Sequence, residues 1–219
     1  MKTLITHLLR NNLTQIVQQS MLHCHVRGVH SIMLLNSPGQ TIRLYYADTD
    51  SDLHRNAPDY IGGGMSVGFH THHCNLTLHC VKGRFWNWTV RAVADHEDVG
   101  EVDLVMDGYR YQSQILTGTQ GFVKEIENAH LKSERLSRIK QGSHITLAAH
   151  EIHTVFVKPW ESATWLVYEG AEDPHYVPIT YSNQDLTRAN TTGMYQPMLP
   201  HQIIEICMQL GLVEDDFTL

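Results

Sequence analysis

The sequence has no window of about 18 apolar residues, which excludes a membrane-spanning helix. Met1 to Val17 has no continuous apolar core. It carries Lys2, His7, Arg10, Asn11 and Asn12, so no signal peptide is expected and the chain is read as cytoplasmic. Basic residues are few: 16 Lys and Arg stand against 23 Asp and Glu, a net charge of −7 with histidine neutral. Apart from Lys132 to Lys140 they are scattered, which argues against nucleic acid as a partner. The four cysteines (Cys24, Cys74, Cys80, Cys207) match no zinc-finger spacing and are expected to be free thiols. No internal repeat is present. Asn12, Asn75, Asn87 and Asn190 open glycosylation-type triplets, which carry no meaning without secretion.

What the chain has in excess is histidine, 16 in 219 residues. They do not form a run, so their positions are informative. Four fall between His70 and His79.

The apolar pattern divides the chain. Leu4, Ile5, Leu8, Leu9, Leu13, Ile16 and Val17 recur at helical spacing, and few basic residues flank them, so residues 3–20 predict a core-facing helix. The period then changes to two. Val29 to Leu35, the turn Asn36 to Gly39 and Thr41 to Tyr46 predict a hairpin. Gly62 to Gly64 break the chain before a strand over Ser66 to Val81. Gly83 is read as a turn and Arg84 to Ala94 as the next strand. Asp95 to Glu101 mark a turn, and Leu104 to Leu116 hold one or two strands. Residues 117–141 fit helix or strand equally. Ser143 to Val157 and Ala163 to Tyr168 read as strands, and a last helix covers Pro200 to Leu210, stopped by Gly211. Many short strands with Gly and Pro turns, and a helix at each end, describe a mainly β jelly-roll barrel.

Two segments carry chemistry. On a strand, His70 and His72 share a face with Cα atoms about 7 Å apart, so their imidazoles can converge on one ion. Cys74, Leu76 and Leu78 share that face, whereas His73, Asn75, Thr77 and His79 point away. In the second segment, Gly142 to Val157, the strand Ile145 to Ala149 leads into a corner holding His150, Glu151 and His153.

These segments resemble the two motifs of the cupin superfamily. The first motif places Gly, then His-x-His, a Glu and a second Gly. Gly64, His70, His72 and Gly83 fall on those places, and Leu76 stands where the Glu is usual. Gly142 and His153 fit the second motif, in which Ala148, His150 and Val157 replace its Pro, Gly and Asn. The resemblance implies a helical segment over 1–27, a cupin double-stranded β-helix over 28–170 and an extension with a short helix over 171–219. It also implies one divalent metal on His70, His72 and His153, and, as cupins often pair, a homodimer.

Without the Glu, three neutral ligands leave coordination positions open and the charge uncompensated, which favours an anionic ligand. Among cupins such a site is similar to the thiol dioxygenases, which implies Fe(II), O₂ and a small thiol or other anionic chelating substrate. Zn, Mn or Ni with non-oxidative chemistry (isomerase, lyase or hydrolase), or a non-catalytic small-molecule-binding cupin, are the alternatives, since imidazole suits several metals. His150 and Glu151 are candidates for an extra ligand or for a group that orients one. Arg43 on the hairpin is a candidate partner for a substrate carboxylate; its other reading is a surface residue. Cys74 beside the His pair is read as a packed thiol. Trp86, Trp88, Trp165 and Tyr168 are read as barrel packing.

Overall fold

A computed structural model describes residues 2–59, 68–93, 104–114, 119–188, 193–214 and 217. Gly64 of the first motif, the start of its strand at Ser66 and the acidic turn Asp95 to Glu101 lie outside the described residues. In chain order the elements are α1 (Lys2–Gln19), β1 (Met21–Leu22), β2 (Val29–Ser37), β3 (Gln40–Ala47), β4 (Phe69–His70), β5 (Leu76–Ala92), β6 (Leu104–Gln114), β7 (Thr119–Lys140), β8 (His144–Leu147), β9 (Ile152–Phe156), β10 (Ala163–Glu169), β11 (Ile179–Ser182), β12 (Gln196–Pro197) and α2 (Pro200–Gln209).

All described strand pairings are antiparallel. One group runs β12, β1, β2, β3, β10 and β5, with β8 on the other side of β5. The second closes on itself: β5 pairs β7, then β6, β11, β4 and β9 follow, and β9 returns to β5. The 17-residue β5 belongs to both groups. Its first half, Leu76 to Gly83, pairs β10, and its second half, Arg84 to Ala92, pairs β7 and β9.

Gly83 is therefore not a turn between two strands. β5 runs through it at φ +73°, beside a register shift in β10, and bends there from one group of strands to the other. A Cβ at Gly83 would run into the carbonyl of Ser162. The glycine serves a bulge, the other common use of an isolated Gly in a strand.

Residues 119–140 form one long strand. Its two-residue period is hidden because most of it is exposed on both faces. Among its described side chains only Leu131 and Ile139 are buried. The segment after residue 170 is woven into the barrel: β11 lies between β6 and β4, and β12 pairs β1.

The helices cover the outer face of the hairpin. Ile5, Leu9 and Ile16 of α1 and Ile203 and Cys207 of α2 pack on Ile32, Leu34, Leu44 and Leu166. The opposite face of the same strands looks into the barrel, where Ala47, Trp165 and Val167 meet Leu76, Leu78, Phe85, Leu147 and Val157. Trp165 thus packs inside, whereas Tyr168, three residues on, lies against the helices. Phe85 is fully buried with its ring 5.4 Å from that of Trp165. Phe85→Ala is expected to cost about 3–5 kcal/mol by leaving a cavity. A fall in the urea midpoint with an unchanged slope is the measurement.

Candidate metal centre

Strand parity aims three imidazoles at one point. In β9, Ile152 and Phe156 face one core while Val155 and Val157 beyond it face the inter-sheet core, so His153 points inward with them. In β4, Phe69 fills the outer core, which leaves His70 pointing inward. His70 and His153 are direct cross-strand partners. His72 is not on the same strand as His70: β4 ends at His70, and β5 starts at Leu76. The intervening chain is held extended by other backbone. Thr71 N–H donates to the Ile179 carbonyl at 3.1 Å, and His72 N–H donates to the Ala149 carbonyl at 2.8 Å. The two-residue alternation expected of a strand survives because those bonds replace a ladder.

The ring centroids of the three histidines are 4.7, 4.8 and 5.1 Å apart. Their ligand atoms lie within 4.8 Å of one another, and among the described residues this is the group of His, Cys, Asp and Glu that can hold a metal ion. His72 Nε2 and His153 Nε2 are 2.9 Å apart. Two imidazole nitrogens bound to one ion at about 2.0–2.1 Å stand about 3 Å apart when their bonds are at right angles.

The tautomers are set for this purpose. His153 Nδ1–H donates to Asn87 Oδ1 at 2.7 Å, which leaves a lone pair on Nε2. His70 Nδ1–H donates to the Gly68 carbonyl at 3.2 Å, with the same result. Gly68 is glycine for a steric reason: a Cβ there would collide with the Tyr181 carbonyl of β11. Burial lowers the proton affinity of all three rings. His70 falls to about 4, and His72 falls to about 2 under burial and then the charge of His70. His153 is lowered well below the ordinary range by burial, then by His70 and His72. All three rings are neutral at neutral pH, the form in which an imidazole can bind a metal. The donor set, its spacing and its protonation fit a divalent cation.

Asn87 was not a candidate from sequence, although it sits between two tryptophans on an apolar strand at the inward parity of Phe85. It is fully buried, and its Nδ2 has no hydrogen-bond partner among the described residues. Its Oδ1 fixes His153. Asn87→Ala is expected to weaken metal binding about 10- to 100-fold, the usual effect of removing a group that orients a ligand. A chelator competition titration reads it.

The other candidates fall as follows. Glu151 is turned outward to Arg135, at 3.0 Å, and receives the Ala148 N–H at 3.2 Å. His150 is exposed in the turn beside it. Neither joins the three-His group. His73 is exposed and its Nδ1 bonds the Tyr176 carbonyl at 3.2 Å. Cys74 is buried with Leu76 and Leu78, and all four cysteines are free thiols. Leu76 is buried in the inter-sheet core at 5% exposure, so no carboxylate is supplied from that position. Arg43 is on the inward parity of β3 and half-buried. Its Nε is 3.5 Å from Glu169 Oε1, and its Nη1 is 3.4 Å from Ser31 Oγ. Burial raises the proton affinity of Glu169, against the opposing pull of Arg43.

No family model and no curated relative matches the sequence. Among solved structures, a cupin superfamily protein from Desulfitobacterium hafniense matches 66% of this chain and 78% of its own, at 11% identity and a TM-score of 0.34. The polyketide cyclase RemF from Streptomyces resistomycificus matches 80% and 87%, at 10% identity and a TM-score of 0.41. Hydroxypropylphosphonic acid epoxidase from S. wedmorenis matches 71% and 57%, at 12% identity and a TM-score of 0.36. No helix is long and apolar enough to cross a membrane among the described residues.

Proposed function

We propose that the chain is a metal-dependent cupin that holds Fe(II) on His70, His72 and His153 and adds O₂ to a small thiol or other anionic chelating substrate. The observation that carries this reading is the convergence of three neutral imidazoles with Leu76 where a carboxylate would close the site. Three neutral ligands leave the charge of a divalent ion uncompensated. An anion is then the preferred partner at the open positions.

The bound metal would supply a charged, coordinatively open point for that anion. The protein's share is positional. Asn87 and Gly68 hold His153 and His70 with Nε2 lone pairs inward. The inter-sheet core around Trp165, Leu76 and Val157 limits water on one side. Arg43, facing the same interior, offers a cation for a second anionic group of the substrate.

Protein purified without added metal tests the reading. Stoichiometric iron, with O₂ uptake that depends on a thiol from a panel, supports it. Zinc, with no O₂ uptake after iron reconstitution, sinks the oxygenase reading and leaves a non-oxidative metal cupin.

A further inference from the structure

The turn between β9 and β10 holds a tryptophan in a strained position. Glu161 N–H donates to the Lys158 carbonyl at 3.1 Å, with Pro159 and Trp160 between them. Proline at the second place of such a turn, followed by a left-handed residue, is the type II pattern, and the third place favours glycine. Trp160 stands there at φ +66°. A bulky side chain on left-handed backbone is an outlier, and such strain persists where the surroundings impose it, often at functional sites. Packing does not offset its cost. Trp160 is 82% exposed, the most exposed of the described large hydrophobic residues, and no ring or cation stacks on it among the described residues.

Both ends of this turn are tied to β5. Lys158 Nζ lies 5.4 Å from the centre of the Trp86 ring, and Arg84 Cζ lies 5.6 Å from it. Arg84 holds both oxygens of the Glu161 carboxylate, with Nε 3.1 Å from Oε2. Phe156 of β9 stacks on Trp86 at 5.7 Å. Cross-strand pairing adds further cations. Arg138 is opposite Trp86 and Lys140 is opposite Arg84, so both project to the face that carries Trp86. Neither has a carboxylate in ion-pair range among the described residues. Like charges directly opposite each other destabilise a sheet, yet Arg84 and Lys140 form such a pair. A chain of net charge −7 thus gathers Arg84, Arg138, Lys140 and Lys158 around one neutralised carboxylate and a protruding tryptophan.

We infer that this face docks on an anionic lipid bilayer, with Trp160 entering the headgroup region and Arg84, Arg138, Lys140 and Lys158 held against the lipid anions. Charge complementarity sets the sign of the partner. Each cation close to an anionic membrane adds about fivefold in affinity. Screening over about 8–10 Å lets this local patch, and not the net charge, decide. The shape favours a bilayer over nucleic acid. Single-stranded nucleic acid is held along a groove by successive aromatic platforms. Here the second ring, Trp86, is already occupied by Phe156, Lys158 and Arg84. What remains free is one aromatic side chain at the tip of a tight turn, beside Pro159 and ringed by cations. Tryptophan is a residue that settles at the membrane–water boundary. The contact is peripheral and independent of the metal centre.

Co-sedimentation of the full chain with phosphatidylcholine vesicles, with and without about 30% phosphatidylserine, tests this. The wild type is expected to pellet with the phosphatidylserine vesicles at low salt and to stay in solution with phosphatidylcholine alone. Its tryptophan emission should shift to the blue on binding, a change that reports Trp160 because Trp88 and Trp165 are already buried. Trp160→Gly is expected to bind about 10-fold more weakly and to lose the blue shift. Glycine suits this place in the turn, so the urea midpoint of that variant should not fall. Lys140→Glu, which turns a like-charged pair into an opposite one, is expected to bind about 20-fold more weakly. A wild type that stays in solution with both kinds of vesicle overturns the inference. Either variant pelleting as well as the wild type also overturns it, by placing the contact elsewhere. Retention on a single-stranded oligonucleotide without pelleting would assign the face to nucleic acid and overturn it too.

Discussion

His153→Ala is expected to come off purification without metal, where the wild type carries one equivalent. His153 is 2% exposed and belongs to the three-histidine group that can hold a metal ion among the described residues. Binding free energies at zinc sites run to about 10–16 kcal/mol, so removing one ligand of three forfeits about 3–5 kcal/mol, on the order of 10³-fold in affinity. The same change leaves Asn87 Oδ1 unpaired in the interior, at a cost of about 1–3 kcal/mol of stability. The protein should remain folded while losing its metal, and circular dichroism beside elemental analysis separates the two effects. His73→Ala is the control. It lies next to His72 in sequence but is exposed and bonded to the Tyr176 carbonyl, so its metal content should not change. One equivalent of metal retained by both His153→Ala and His72→Ala would show that the ion sits elsewhere.

The three-histidine cluster was legible because the spacing that matters is short. His70 and His72 share an inward direction over a two-residue step whether the segment is a strand or an extended loop pinned by Ala149 and Ile179. His153 was legible from its distance to Gly142, which turns the chain at φ +82° ahead of β8. Other features were hidden for physical reasons. Asn87 looks like any polar residue on a strand, and only burial beside His153 reveals what its carbonyl does. Gly83 reads as a turn because glycine permits both a turn and a bulge. The long strand 119–140 shows no alternation because little of it packs. Glu169 ends β10 with no local pattern of its own, and only the pairing of β10 with β3 brings it to Arg43.

Acidifying the metal-free protein is expected to unfold it well above the pH at which carboxylates titrate. In the unfolded chain each histidine protonates near its ordinary value of 6.5. In the folded chain His70 protonates at about 4, His72 at about 2 and His153 lower than its ordinary value by a wide margin. Between 6.5 and those values the unfolded state binds more protons than the folded one, so stability is full above pH 6.5 and falls as the pH falls. A fully shifted group removes about 1.4 kcal/mol per pH unit. His153 is expected to contribute that slope in full, and solvent access to the half-buried His70 and His72 reduces theirs. Together the three give about 2–4 kcal/mol per unit, against about 5–15 kcal/mol for a whole domain. Urea midpoints at pH 7, 6 and 5 measure the slope. His153→Asn should remove about 1.4 kcal/mol per unit from it, and a bound divalent ion should move the whole loss to lower pH, since protons must then displace the cation from all three rings. A stability that stays flat from pH 7 to 5 would mean that the three rings titrate as they do in water, and the neutral triad on which the site depends would not exist.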